Sequence, residues 1–438
     1  MLTPAFIRPS CPVQPYPYGK KGSKSLAAQF AVATPENEFH IDENQPYGEI
    51  WMGDHPNGCA RTIPDGTLLG DLISSNPEEY LGSNVFHRFH RDRHLPFLFK
   101  VLSFDKALPL QAHPDRSLGA KLMEQEKNEK GKNETFVDPN HKPEVAVTLS
   151  DMFEGFVGFR PIQEIQGFLT DVPELREAIN DDEAVDALIK APAEGKQVQE
   201  RLKRVFSLLM HRDQAPIAKV AEKLVKRVEQ DGDSVLGVMG DKQRLGEIVM
   251  KIHSTYPGDI GLFAAIFFMN FCRLPRGEGI AVPADCIHAY LEGDVVETMA
   301  WSDSMIATGF EDEKDRNDPK TFIDMLLYQT FPSKKLELQR QTWSKSTHQH
   351  TQLYKVPMDE FDLLNTHLLA GMVEVIEEGI GGPTVFVVTH GTVRLSGLDA
   401  HSQTEQLTRG QVVYVKPNIG FKFTAVDGAA EIWGSFVE

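Results

Sequence analysis

Gln111 and His113 stand two apart in the octamer "LPLQAHPD", Leu108 to Asp115, where a protein core normally takes aliphatic side chains. Successive side chains of an extended segment point to opposite faces, so these two look the same way and offer an amide and an imidazole from one surface. Metal binding is the chemistry such a pair could do. The plain alternative is a pair of hydrogen-bonded side chains at a sheet edge. Further donors come from two other segments: "DPNHKPE" offers Glu144 ahead of the alternating run "VAVTL", and "ADCIHAYLEG" offers His288 at the start of another strand. Two imidazoles, one carboxylate and one amide oxygen suit Zn2+ or a similar divalent ion with room for water, and an open position would make the site catalytic. Taken singly, each residue also has a structural reading: His288 as a satisfied core histidine, Glu144 as a partner of Lys142, Gln111 as an edge amide.

The chain that must position them has 438 residues, too many for one compact core, so two or three domains are expected. Its 41% hydrophobic and 25% charged residues are those of a soluble globular protein, and a net charge of −18 argues against a nucleic-acid or anionic-membrane partner. An anionic substrate would be repelled by that field and would need local Lys and Arg side chains. The longest apolar stretch, "IGLFAAIFFMNF" from Ile260 to Phe271, is too short for a membrane span and reads as a buried strand. The proline-rich N-terminus has no signal-peptide core, and Cys11, Cys59, Cys272 and Cys286 show no paired spacing. A reducing cytosol fits best, which leaves the "NET" sequon at Asn133 without meaning.

Short β-rich runs such as "PFLFKVLSF" and "EVAVTL" fill the chain to about residue 160. From about Pro161 to Thr255 the apolar residues recur at three and four, as in "VQERLKRVFSLLMHR", which predicts a helical domain following or inserted into a β domain. Strand character returns at Gly258, and one helix is expected over "TFIDMLLYQTF". The last hundred residues are β again, so the short, turn-punctuated strands suggest sandwiches or jelly rolls. Two segments echo one another. Gly277, Pro283 and His288 in the first correspond to Gly410, Pro417 and Lys422 in the second, which predicts two copies of one hairpin with a histidine at the inward position of the first copy alone.

The segments "QPYGEIWMGDHPNG", "LPFLFKVLSFDKALPLQAHPD", "DPNHKPE", "YPGDIGLFA" and "HAYLEGDVVETMAWSD" resemble, in order and separation, those of type I mannose-6-phosphate isomerases, and the similarity runs from Tyr16 to the C-terminus. The resemblance implies one zinc per chain held by Gln111, His113, Glu144 and His288. It implies a mainly β fold with an α insertion: a cupin-like jelly roll over 1-160 and 258-330, a helical insertion over 161-257 and a metal-free jelly roll over 331-438. It also implies a monomeric cytoplasmic enzyme interconverting mannose 6-phosphate and fructose 6-phosphate, supplying GDP-mannose synthesis and glycosylation, with Lys100, Lys142, Tyr290 and Glu297 lining the pocket. An ene-diol intermediate needs a Lewis acid or fixed cations for its oxygen charge and a group to carry the proton, and Glu297 is the first choice for the latter.

Two departures bear on activity. Where the family carries Arg and, six residues on, Lys, this chain has Ala307 and Glu313; where the family has a serine placed to meet the phosphate, it has Pro109. Lys314 or Arg316 is expected to substitute, with Arg316 joining Lys100 and Lys142 in substrate binding. The segment "VFHRFHRDRHLPF", with His87, His90, Arg91, Arg93 and His94, is a candidate basic rim or a solvated loop, and "THQH", with His348 and His350, offers no third ligand. The main competing reading is a paralogue that keeps zinc and sugar binding but has lost turnover. An iron-dependent cupin oxygenase fits less well, because the Gln ligand and the helical insertion do not suit it.

Overall fold

The computed structural model describes residues 4–90, 92–128, 138, 140–399 and 403–438, so the Asn133 sequon and Arg91 lie outside the described residues. Its architecture is mainly β with a helical insertion. One strand organises the first half: His288–Ala300 pairs with Phe97–Phe104, with Glu144–Thr148 and with Met152–Phe159, and its first residue faces Gln111 of the strand Leu110–Ala112. These belong to a ten-stranded sheet whose path continues through Glu49–Met52 to Val13–Gln14. The strand Phe97–Phe104 is buried along its whole length, which explains its near-continuous apolar sequence.

The helices run from Ile162–Asp171 to Leu245–Thr255, and their burial follows the predicted periodicity. In Lys196–Met210 the buried residues are Val198, Leu202, Val205, Phe206, Leu209 and Met210, a single apolar stripe. Asp181 begins Asp182–Ile189 by accepting the Ala184 amide at 2.8 Å. This layer shares one hydrophobic core with Leu110, Ala112, Ala289 and Ile306, so the helices pack directly behind the strands that carry Gln111 and His288.

Two expectations are corrected. The stretch from Ile260 is not a strand at first: Gly261–Phe268 is a helix, and only Met269–Pro275 is extended. All eight helical residues are buried, so no periodicity distinguishes helix from strand there. At its start the Asp259 carboxylate, one residue before the Ile260 cap position, accepts the Gly261 amide at 2.6 Å.

The second correction concerns the echo. Both copies are strand, proline turn, strand: Gly279–Val282 into His288–Ala300, and Val412–Val415 into Phe421–Ala425. Lys422, however, is exposed, and its neighbours Phe421 and Phe423 face inward. A one-residue offset exchanges the two faces of a strand, so matching residues by counting from the proline selects the wrong side.

The C-terminal half is a seven-stranded and a four-stranded sheet packed around Phe386, Val393, Phe421, Phe423 and Ile432. Gly434 lies opposite Phe386 in the ladder, where a Cβ would come within 2.4 Å of the phenyl ring. The start of the chain joins this half: Phe6 and Ile7 pair with Val415 and Tyr414.

Candidate metal centre and active site

His288 is the first residue of its strand and Glu144 the first of its neighbour, while His113 directly follows the short strand Leu110–Ala112. Strand ends at one level of the sheet thus bring together residues distant in sequence. One ligand atom from each of His113, Glu144 and His288 lies within 4.8 Å of the others. Nε2 of His113 is 2.9 Å from one Glu144 oxygen, and Nε2 of His288 is 3.7 Å from the other.

The opposite ring nitrogens fix the imidazoles. His113 Nδ1 donates to the Ser304 carbonyl at 2.9 Å and His288 Nδ1 to the Cys286 carbonyl at 3.0 Å. A carbonyl only accepts, so each Nδ1 carries the proton and each Nε2 presents its lone pair. Both Nε2 atoms are buried without a hydrogen-bond partner. Burial, helped by Lys142, lowers His113 to about 4, and burial likewise lowers His288, so both are neutral at pH 7. Burial works to raise the Glu144 carboxyl, but His113 and Lys142 outweigh it and hold it well below the usual range. Two neutral imidazoles with orphaned lone pairs around an ionised carboxylate fit zinc, and Gln111, opposite His288 in the ladder and in the same cavity, can add its amide oxygen.

The cavity holds about 490 Å³ and is lined by Gln111, Lys100, Lys142, Glu144, Tyr290 and Glu297 among others. Lys100 and Glu297 face each other across the ladder, 3.6 Å apart. Lys100 also reaches Glu49 at 3.0 Å and lies 4.7 Å from the centre of the Trp51 ring. Burial lowers the Lys100 ammonium, yet Glu49 and Glu297 hold it above its ordinary value. Burial and Glu144 push Glu297 up to about 8. Lys142 lies 3.6 Å from Glu144, and the Tyr290 hydroxyl is buried without a hydrogen-bond partner.

Arg316 is not brought to this cavity. Its guanidinium binds Asp259 at 2.6 Å and Gln214 at 3.2 Å in a neighbouring groove that also holds Glu313, because the buried Asp259 carboxylate captures the nearest cation. Lys314 stays outside, with its side chain 75% exposed. Ala307 is buried opposite Gln111, and Pro109 lines the cavity. From the loop that follows, Glu311, Asp312 and Asp315 line it instead. The histidines of "VFHRFHRDRHLPF" lie elsewhere: His87 and His90 are exposed, and His94 stacks on Trp301 at 4.0 Å. His348 and His350 flank a loop whose amides are held by the buried Glu374.

Sequence reasoning missed Tyr16, Tyr18, Glu49, Trp51 and Asp303, all on the cavity wall. Glu49 and Trp51 carried a usable signal, the same two-residue spacing in "EIWM" that singled out Gln111 and His113. Trp51 Nε1 donates to Glu49 at 2.7 Å, and Tyr18 donates to the other carboxylate oxygen at 2.6 Å. Asp303 follows a strand end and had no such signal.

The family model described as "Phosphomannose isomerase type I, catalytic domain" matches residues 6–162, and that of the helical insertion domain of the same family matches residues 179–269. The mannose-6-phosphate isomerase of Candida albicans is 37% identical over 97% of this chain and 96% of its own. The chain belongs to the type I phosphomannose isomerase family. The mannose-6-phosphate isomerase of Mus musculus is 34% identical over 95% of each chain. Among solved structures, the apo mannose 6-phosphate isomerase of Salmonella typhimurium superposes with a TM-score of 0.78 at 22% identity, covering 100% of both chains. A mannose 6-phosphate isomerase bound with zinc and yttrium gives 0.78 at 22% identity, covering 99% of this chain and 100% of the other. These two matches show that the chain shares their fold.

Proposed function

We propose that the chain is a zinc-dependent aldose-ketose isomerase that interconverts mannose 6-phosphate and fructose 6-phosphate through an ene-diol. The observation that carries this reading is the pair of orphaned, neutral Nε2 atoms around Glu144, opening onto a cavity that holds Lys100, Lys142, Tyr290 and Glu297. Gln111, His113, Glu144 and His288 would hold the metal, which would supply Lewis-acid stabilisation of the oxygen charge that develops as the proton moves.

The remaining roles fall to the chain's own groups. Lys142, beside Glu144, is a cation aimed at the same region and stabilises developing charge, and Tyr290 offers its free hydroxyl to a sugar oxygen. Glu297 carries the proton between C1 and C2, and Lys100 orients it from 3.6 Å. Trp51 and Tyr18 fix Glu49, so Lys100 is held between two carboxylates rather than free to roam. The functional units are a catalytic jelly roll over 1-160 and 258-330, a helical insertion over 161-257 and a metal-free jelly roll over 331-438. The four free thiols accord with a reducing compartment such as the cytoplasm, and the reading includes a monomer that feeds GDP-mannose synthesis and glycosylation.

One observation favours a second reading, a paralogue that binds zinc and sugar without turning over. Ala307 sits against Gln111 with no cation in its place, since Arg316 is held by Asp259. Losing one such group commonly costs about two to three powers of ten in rate. A coupled assay of mannose 6-phosphate conversion on zinc-replete protein, with Ala307→Arg alongside, separates the two. Turnover by the wild type supports the isomerase. An inert wild type restored by Ala307→Arg establishes the paralogue.

A further inference from the structure

His113, Glu144 and His288 each have, three residues away in the chain, a group that ties their segment to another. Arg116 follows His113, while His141 and Asp285 precede Glu144 and His288. Asp285 joins the His288 segment to that of His113: its amide donates to the His113 carbonyl at 2.8 Å, and its carboxylate accepts the Asp115 amide at 3.0 Å. The His113 and Glu144 segments are joined by a residue of the other half of the molecule. Arg116 donates to Oε1 of Glu360 at 2.6 Å, and His141 Nε2 donates to the same oxygen at 2.7 Å. A carboxylate only accepts, so that imidazole nitrogen carries the proton.

Glu360 lies between the paired strands Thr351–Tyr354 and Asp362–Leu368 of the seven-stranded sheet. Its second oxygen accepts the Asp359 amide at 3.2 Å, and Val356 and Phe361 on either side are buried in a core shared with Phe97 and Val145 of the first half. Burial raises the Glu360 carboxyl, but His141 and Arg116 outweigh it and hold it below its ordinary value. The side chain is therefore a fixed point on a packed turn. The links it braces are stiff as well: Pro114 lies between His113 and Arg116, Pro143 lies between His141 and Glu144, and each ring locks one backbone dihedral. Glu360 belongs neither to the ligand cluster nor to the sugar cavity, and lines a separate cleft beside Trp301.

We infer that Glu360 is a positioning residue for the metal centre: from the metal-free half it holds the His113 and Glu144 segments at the separation at which their side chains meet one ion. The inference rests on the zinc reading and gives the metal-free half a part in it. Removing a group that orients a metal ligand commonly weakens metal binding about 10- to 100-fold, and Glu360, which acts through three residues of backbone on each side, belongs at the lower end of that range. Linkage makes the effect reciprocal, so zinc must steady the turn that carries Glu360 by the same factor.

The test measures zinc Kd by chelator competition on full-length wild type, Glu360→Ala, Glu360→Gln and Glu431→Ala. Glu431 is the matched control, a carboxylate of the same half that is as buried as Glu360 and pairs across the joint with Arg276, away from every ligand segment. Glu360→Ala is expected to raise the zinc Kd about tenfold. Glu360→Gln, whose amide oxygen still accepts both donors, should fall between it and the wild type, and Glu431→Ala should match the wild type. An unchanged Kd in Glu360→Ala overturns the inference, and so does an equal rise in Glu431→Ala, which is the mark of general destabilisation. Hydrogen exchange on the wild type decides the matter even if a variant does not fold: zinc should slow the amides of residues 355–361 about tenfold more than those of the turn at 369–372, and equal slowing overturns the inference. A wild type that takes up no zinc defeats the metal reading itself, whereas a wild type that binds one equivalent with Glu360→Ala unchanged defeats this inference alone.

Discussion

The two β halves use the same strand, proline turn, strand device and fill its interior in opposite ways. In the first, the inward positions hold Glu144, Lys100, Glu297 and His288. In the second they hold Phe386, Phe421 and Phe423, with ring centres 5.2 to 5.7 Å apart. Buried aromatic pairs stabilise a fold directly, by about 0.5–1.5 kcal/mol each beyond the area they bury. Buried charges do not: each costs several kcal/mol unless paired, so the cavity of the first half is tolerated because Lys100 and Lys142 each have a carboxylate and the imidazoles of His113 and His288 are neutral. The difference teaches where function lies: the half that gives up apolar packing is the half that can do chemistry.

The sharpest way to break the comparison is to remove a ligand. His288→Ala leaves no second imidazole at the centre, and it is expected to abolish stoichiometric zinc and reduce turnover by at least about three powers of ten, read by metal analysis and the coupled assay. Retention of a full zinc equivalent would place the metal elsewhere. Glu297→Gln keeps the ligands and removes the proposed proton carrier. Zinc content is expected to stay at one per chain while kcat falls about 10²- to 10⁴-fold, and an unchanged kcat would assign the proton to another group.

In the second half the same kind of truncation should act on stability alone. Phe423→Ala is expected to lower unfolding free energy by about 3–5 kcal/mol in urea titrations, with zinc content and KM of the folded protein as in the wild type. Loss of zinc in that variant would show that the two interiors are not independent.

The smallest effect concerns the joint. Glu431 of the second half pairs with Arg276 of the first at 2.5 Å and with His367 at 3.1 Å. Burial raises the Glu431 carboxyl, but His367 and Arg276 prevail and set it at about 2, below its ordinary 4.5. A carboxyl depressed on folding stabilises the native state above its unfolded value and loses that contribution as pH falls through the folded one. The wild type should therefore lose of order 3 kcal/mol between about pH 4.5 and 2 that Glu431→Gln does not lose. Parallel unfolding curves for both proteins across that window would contradict it.

Much of this was legible from sequence where a period or a spacing carried it. The two-residue spacing of Gln111 and His113 and the positions of Glu144 and His288 beside predicted strands offered candidate donors, the family resemblance joined them into one set, and the threefold and fourfold recurrence marked the helices. The helix Gly261–Phe268 was not legible, since a wholly buried segment has no polar face to reveal its period. The inward face of the second hairpin failed for a related reason, because Phe421 lies four residues after its proline where His288 lies five after its own, and that one-residue difference exchanges the faces. Arg316 could not be placed because its partner Asp259 lies 57 residues earlier. The carbonyls of Ser304 and Cys286, which fix the imidazoles, are backbone atoms that any residue supplies.

The centre itself is tested most directly by zinc K-edge X-ray absorption on protein carrying one equivalent of metal. The expected spectrum shows two imidazoles with further oxygen donors at about 2.0–2.2 Å. Sulfur scattering near about 2.3 Å, or fewer than two imidazoles, would contradict a site built from His113, Glu144 and His288 with Gln111 beside them.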